Sequence, residues 1–344
     1  LVIDANIYWF LEDIFESEEE SEKFMSEVPK AYGTSAHLHH QSEHNLISIE
    51  KPTGYHNLDY VQGEYRIEQQ LADMDQAGID KAVLKIPGCH EWMSLDTCKK
   101  FNDGMYEYAQ KSEGRLIPLA VLPPFASKQC FKELKRCRED LGMNGIQLCA
   151  HYGEKYLDDE IFADFFKKLN EEETTVYIHH TPVPVQYDSI YEYNNLRRSY
   201  GRCVDQTTAI GRELFSGFFE KYPNLKFVHS MLGGGFFAIA NMLLPKKTTS
   251  NDEVKRFENS NDSLEYQFKN NVYFEMSHAQ PWGKEQLECA VSVLGADHII
   301  YGSSYPVRKE WMMNGAQFVR ELDISEEEKN LILYKNAQRL YHIK

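Results

Sequence analysis

Histidine occupies only 13 of 344 positions, yet four of the chain's short apolar runs end on it or close beside it. NGIQLCA (144–150), TTVYIHH (174–180), NLKFVHS (224–230) and NVYFEMS (271–277) lead into His151, into His179 and His180, into His229, and into Glu275 with His278. The opening run LVIDA continues to Asn6 and Tyr8, and HIIYG (298–302) continues to Ser303, Ser304 and Tyr305. An imidazole with a pKa of ~6.5 gives and takes protons at neutral pH, and a strand terminus holds it firmly while presenting it. His179 and His229, on successive runs, are therefore the leading acid–base candidates. The plainer reading of any one buried histidine is a hydrogen-bonded core residue. His37, His39, His40 and His44 in HLHHQSEH are spaced like a metal tract, although a solvated loop explains them equally well.

Those termini need a scaffold that brings them together. From about Asp80 onward, short buried-strand patterns alternate with amphipathic stretches: KAVLKIP (81–87), RLIPLAVLP (115–123), the four runs above and HIIYG. With LVIDA they make eight. Helix-like segments lie at 65–77, 126–140, 158–171, 206–221, 234–243, 283–295 and 308–321, with a last one from about 325. This alternation predicts an α/β fold, a (β/α)8 TIM barrel with long insertions after strands 1 and 5, at 11–64 and 181–205. An open doubly wound sheet is the alternative, but no G-x-G-x-x-G turn follows an early strand. We find no internal repeat or linker and expect one domain over 1–344, with chemistry at the face where the strands end. Gly233-Gly234-Gly235 reads as a tight turn chosen for φ freedom, with anion binding as a by-product.

Composition narrows the function. The 42% hydrophobic and 13% aromatic content is that of a folded globular chain. A formal charge of −16 argues against nucleic acid and anionic membrane as partners, while leaving room for a cleft that focuses a few cations on a small anion. Seven scattered cysteines without a CxxC pair suit free thiols in a reducing, cytoplasmic setting. No run approaches the ~18 apolar residues that span a bilayer, and the lack of a charged segment ahead of the first strand leads us to expect no signal peptide.

Four phrases carry a more specific resemblance: GIQLCAHYGEKYLDDEIFADFF (145–166), VYIHH (176–180), FSGFFEKYPNLKFVHSMLGGGFFAIANML (215–243) and VLGADHIIYGSSYPV (293–307). Together they resemble the amidohydrolase-related branch of metal-dependent hydrolases that includes aminocarboxymuconate-semialdehyde and γ-resorcylate decarboxylases. The resemblance implies a metal bound by H-x-H or E-x-H after strand one, a histidine after strand five and an aspartate in G-[ST]-D-Y-P after strand eight, with a proton-handling histidine after strand six. In this chain those positions fall on Asn6 and Tyr8, His179, Ser304 and His229 respectively.

Three of the five side chains are thus changed to weak ligands, and a divalent ion needs three or four imidazoles or carboxylates. No cofactor is expected in the usual site. If zinc or manganese is retained, His179 and His229, with His151 or Glu275, would hold it in a shifted geometry. Without the ion, Tyr8 and Asn6 would donate hydrogen bonds to substrate oxygens, His229 and His179 would handle protons, and Arg308, with Arg197 or Arg198, would clamp a carboxylate. His151, Glu275 and Ser304 complete the candidate substrate site.

The expected activity is decarboxylation of a small aromatic or unsaturated carboxylic acid. Hydrolysis of a lactone, ester or amide, and a noncatalytic barrel binding a metabolite or partner, are the alternatives. The resemblance also implies a homodimer.

Overall fold

The structure, a computed structural model, describes residues 1–28, 33–181, 184–244 and 261–344. Parts of both predicted insertions, at 29–32 and 182–183, lie outside the described residues. The barrel strands are β1 (Ile3–Tyr8), β5 (Lys81–Lys85), β6 (Leu116–Pro118), β7 (Ala120–Val121), β8 (Gly145–Cys149), β11 (Thr175–His179), β12 (Lys226–His229), β13 (Val272–Glu275) and β14 (Ile299–Ile300). Leu119 divides the third barrel strand, so that β6 pairs with β5 and β7 with β8, all in parallel. The ring closes between the first and last strands through Ala5 N to Tyr301 O (2.9 Å), Ser304 N to Asn6 O (2.7 Å) and a parallel bridge from Ile7 to Tyr305.

The barrel lumen is filled by Ile3, Ala5, Val83, Leu119, Tyr177, Val228, Tyr273 and Ile300, while a larger core lies between the strands and the surrounding helices. Such a lumen is a packed layer and not a pore, so chemistry is confined to the mouth.

The insertion after β1 is not a bare loop. It holds α1 (Glu18–Ser26) and an antiparallel sheet of β2 (Ser35–His40), β3 (Asn45–Glu50) and β4 (His56–Val61). His37, His39 and His40 lie on β2, where His39 bonds Ser48, His40 bonds Asn45 and His37 lies 3.7 Å from Glu50, as polar side chains on a solvated strand do. Helices α2 (Ile67–Ala77), α3 (Leu95–Gln110), α4 (Lys128–Glu139), α5 (Ala163–Glu171), α6 (Gly201–Phe215), α7 (Phe218–Lys221), α8 (Phe237–Leu243), α9 (Asn261–Asn271), α10 (Lys284–Leu294), α11 (Lys309–Arg320), α12 (Glu326–Asn330) and α13 (Asn336–Tyr341) complete the chain, with a short hairpin of β9 (His151–Tyr152) and β10 (Lys155–Tyr156) after β8. The segment predicted as one helix over 206–221 breaks at Gly217, whose φ of +70° ends α6 and starts α7. All seven cysteines are free. Among the described residues no helix is long and apolar enough to cross a membrane.

Candidate active site

A cavity of about 650 Å³ opens at the C-terminal mouth of the barrel. Its floor carries Tyr8, His179 and Ser304; Trp282 and Trp311 supply aromatic surface; Arg198, Arg202 and Arg308 supply charge.

One irregularity in β1 sets the floor. Pairing with β5 runs Asp4 to Ala82 and then Ile7 to Leu84, so β1 has one residue more than its partner across that interval. Ile3 and Ala5 face the lumen; past the bulge Ile7 turns to the outer core, and Asn6 and Tyr8 turn inward. Bulges of this kind re-aim side chains next to functional sites.

The hydrogen bonds fix how His179 is used. Its Nδ1 lies 2.7 Å from the His180 carbonyl, which only accepts, so the ring proton is assigned to Nδ1. Nε2 then accepts from the Tyr8 hydroxyl at 3.1 Å. Burial, then the neighbouring His90, hold the His179 pKa well below the usual histidine range, and burial does the same for His180, stacked on it at 4.2 Å. Burial, and after it the Glu275 charge, raise Tyr8 well above an ordinary phenol. At neutral pH the floor is a protonated phenol donating to a neutral imidazole.

Below it lies a denser polar layer that does not line the cavity. The Glu275 carboxylate accepts from Asn6 Nδ2 (2.9 Å), Tyr177 OH (2.9 Å), Ser277 Oγ (3.0 Å) and the Ser277 backbone N–H. Lys85 is fully buried, donates to the Ala5 carbonyl and lies 3.3 Å from the centre of the Tyr177 ring. Burial lowers Lys85 to about 7, against the opposing pull of Glu275 and Asp4, and burial raises Asp4 to about 7. Asn6 and Glu275, expected in the substrate site, therefore belong to the layer supporting it.

Two further expectations are corrected. His229 is fully buried but turned away from the cavity: Nδ1 meets Gln206 Oε1 at 3.0 Å and Nε2 meets Glu213 Oε2 at 2.9 Å, both on α6. Strand alternation explains this, because Val228 points into the lumen and its neighbour must point out. His151 likewise bonds the Gly153 carbonyl (2.8 Å) and Thr181 Oγ1 (2.5 Å) beside Asp205, tying the segment after β11 to α6. Tyr8, His179, Ser304 and Arg308 are brought together; His229, His151, Asn6 and Glu275 are not at the cavity surface.

Of the two loop arginines, Arg198 reaches the cavity. Arg197 is spent on the His56 carbonyl (3.0 Å), Asn194 (3.2 Å) and the Tyr55 ring. His278, beside the end of the NVYFEMS run, also lines the cavity; Arg202, a further lining residue, carried no strand-end signal of the kind that marks His179, but it sits four residues after Arg198 on a helical run, and that spacing was the available clue.

Comparison with known proteins places this architecture. The Amidohydrolase profile matches residues 63–343. The chain belongs to the amidohydrolase family. This amidohydrolase is 27% identical over 246 residues to the 2-amino-3-carboxymuconate-6-semialdehyde decarboxylase of Dictyostelium discoideum, a match spanning 71% of the chain and 66% of that enzyme. It is 25% identical over 295 residues to the γ-resorcylate decarboxylase of Polaromonas sp., across 80% of the chain and 87% of the relative. Its fold matches a 5-carboxyvanillate decarboxylase of Novosphingobium aromaticivorans, crystallised with manganese and 4-hydroxy-3-methoxy-5-nitrobenzoic acid. That match has a TM-score of 0.72 and 23% identity, over 99% of this chain and 96% of the other.

Manganese in that structure raises the question of fit in this family member. Among the described residues no three His, Cys, Asp or Glu side chains are grouped so as to hold an ion. The His179 lone pair is taken by Tyr8, the Glu275 oxygens by four donors, and Ser304 contributes a hydroxyl bonded to Asn6. One neutral acceptor, Asn6 Oδ1, is left without a partner. Arg202, and Lys85 where it is protonated, add positive charge close enough to bear on His179. His179 and His229, the pair named for a displaced ion, point into different environments. This donor set does not fit a divalent cation, which wants three or four anionic or imidazole ligands.

Proposed function

We propose that this amidohydrolase acts on a small aromatic carboxylic acid by decarboxylation, without a bound metal ion. One observation carries the reading: a cavity of about 650 Å³ that sets a Tyr8–His179 hydrogen-bonded pair among arginines and two tryptophans. Indole faces suit a planar ring, and guanidinium groups suit an oxyanion. The decarboxylases among its relatives support the same class of chemistry.

The reaction consumes one proton. The carbon–carboxylate bond breaks with its electron pair left on the ring carbon, that carbon takes a proton, and carbon dioxide leaves. Tyr8 is the group that carries the proton in the cavity, and His179, held in one tautomer, fixes the phenol and accepts its hydrogen bond between turnovers. The phenolate formed recovers its proton from solvent. Ser304, beside Asn6 on the floor, offers a hydroxyl to the substrate.

A second reading, a ligand-binding barrel without turnover, draws on the neutral, tightly bonded state of every imidazole around the floor. Turnover of a hydroxybenzoate panel by purified protein of measured metal content separates the two. Carbon dioxide release that survives chelation and is lost in Tyr8→Phe supports the enzyme. Release that requires added manganese refutes metal independence, and saturable binding with no release selects the binding barrel. The homodimer expected from the resemblance belongs to the same proposal, and sedimentation velocity checks it.

A further inference from the structure

The outer face of the insertion sheet carries chemistry that the cavity does not use. Side chains alternate along β2, so Ala36 and Leu38 pack on the core while His37 and His39 stand exposed on the other face. On β3 the same alternation buries Ile47 and Ile49 and turns Ser48 and Glu50 outward, with His37 opposite Ser48 and Ser35 opposite Glu50. Two imidazoles and a carboxylate therefore share one small patch. His37 Nε2 lies 3.7 Å from Glu50 Oε2. That gap is too wide for a hydrogen bond and close to the ~3.4 Å that separates two ligand atoms on one tetrahedral ion. Glu50 is held in place: Oε2 accepts from Ser35 Oγ at 3.0 Å and from Gly54 N at 2.8 Å, and the Gly54 N–H holds the carboxyl below its usual range. Supporting bonds of this kind orient metal ligands. Ser48 Oγ, 2.8 Å from His39 Nε2, can accept the ring proton there and so leave Nδ1 unprotonated.

We propose that His37 and His39, with Glu50, form a peripheral site for a borderline divalent ion such as zinc or nickel, separate from the barrel mouth. The two imidazole rings stand 6.5 Å apart, and rings sharing one ion stand roughly 5–6 Å apart, so the site closes by a small turn of side chains. Among the described residues no trio of ligands is already closed around an ion position, so that turn is required. It costs little, because the His37 side chain is 51% exposed and both rings rotate without moving the backbone. His56, which faces Glu50 in the β3–β4 register, is engaged by Asp59 at 2.9 Å and stays outside the site. Imidazole nitrogen favours ions late in the first-row series, so zinc and nickel bind and manganese binds weakly. The net charge of −16 draws cations toward the surface. An ion counted on the purified protein would thus not by itself mark the barrel mouth, and the site stands whether or not the decarboxylation reading holds.

Titration calorimetry of tag-free protein with zinc, nickel and manganese chlorides tests this, using wild type, His37→Gln, the double variant His37→Gln/His39→Gln, and His179→Gln. Wild type is expected to take up one zinc or nickel ion per chain, with manganese about 10-fold weaker or more. His37→Gln should weaken zinc by about 10-fold or more, and the double variant should abolish uptake. Both rings are exposed, so these variants should melt with wild type. Glu50→Gln, which keeps both rings, is the second variant if they do not, and should also weaken zinc by about 10-fold. No saturable uptake of zinc or nickel by wild type, or an ion retained in full by the double variant, overturns the site. Uptake abolished by His179→Gln and kept by the double variant overturns it too, and takes the metal-independent reading of the barrel with it. Uptake lost in the double variant but intact in His179→Gln supports the site and leaves that reading standing.

Discussion

The layer beneath the cavity invites a double-mutant cycle on Lys85 and Glu275. Glu275→Gln would set an amide where the carboxylate now accepts from Asn6, Tyr177 and Ser277, turning at least one of those contacts donor against donor. It would also strip Lys85, fully buried beside Tyr177, of the stronger of the two negative charges that act on it. The two side chains make no direct ion pair, so the loss expected at pH 7 is that of the mismatched buried contact with some lost attraction to Lys85, about 1–3 kcal/mol. Lys85→Met leaves the carboxylate unbalanced but keeps its four donors, so its cost is smaller. Because each single change leaves one charge behind, the double variant should be less damaged than the sum by about 1–3 kcal/mol. Urea unfolding followed by tryptophan fluorescence supplies all four free energies. With Lys85 lowered to about 7, the ammonium is largely lost by pH 9, and the coupling must shrink there. The linkage sign agrees: between about 7 and the ordinary lysine value the unfolded chain binds the proton and the folded chain does not, so wild type gains on Lys85→Met as pH rises. Additivity within about 0.5 kcal/mol at pH 7, or coupling that grows at pH 9, would refute the coupled-charge account.

Three other outcomes are expected. Gly234→Ala places a Cβ 2.0 Å from the Cys203 carbonyl oxygen at a φ of +67°, so it should cost more than about 3 kcal/mol by thermal or urea unfolding; a near-neutral variant would mean the turn after β12 can shift away from α6. His229→Gln should act on stability, by about 3–5 kcal/mol through the abandoned Glu213, and leave ligand affinity of the folded fraction unchanged; a fully stable variant that binds but fails to turn over would restore His229 as the acid–base group. Burial, then Arg202 and Arg308, hold half-buried His278 at about 3, so below pH ~6.5 the unfolded chain takes up a proton that the folded chain refuses. Wild type should therefore lose about 1 kcal/mol relative to His278→Gln between pH 7 and 5, discounted for partial exposure, and a gap independent of pH in paired melts would contradict that environment.

Barrel strands were readable because burial on both faces leaves continuous apolar runs: KAVLKIP and TTVYIHH contain β5 and β11, and LVIDA holds the first half of β1. Helix α3 was not among the predicted helices. Asn102, Asp103 and Gly104 interrupt its helical pattern, and Gly104 is there because a Cβ would lie 2.4 Å from the Trp9 ring, a tertiary demand invisible along the chain. The three-stranded sheet after β1 was hidden for the opposite reason: its outer strand, SAHLHH, is half-solvated and polar enough to pass for a loop. At the site, the strand-end rule chose His179, Tyr8 and Ser304, which line the cavity, and also His229 and His151, which do not, because a terminus alone does not say which way a side chain faces. Parity with Val228 would have removed His229.

The single extra residue in β1 makes the content of the cavity floor a question of strand register as much as of residue type. Straightening β1 at its present length would carry strict alternation on from Ala5 and swing the amide and the phenol out of the mouth, with every side chain chemically unchanged, whereas loss of Ala5 would remove the bulge and leave both facing inward. A barrel of this design can be given a new floor by a change of strand register alone, which a residue-by-residue comparison would score as nothing.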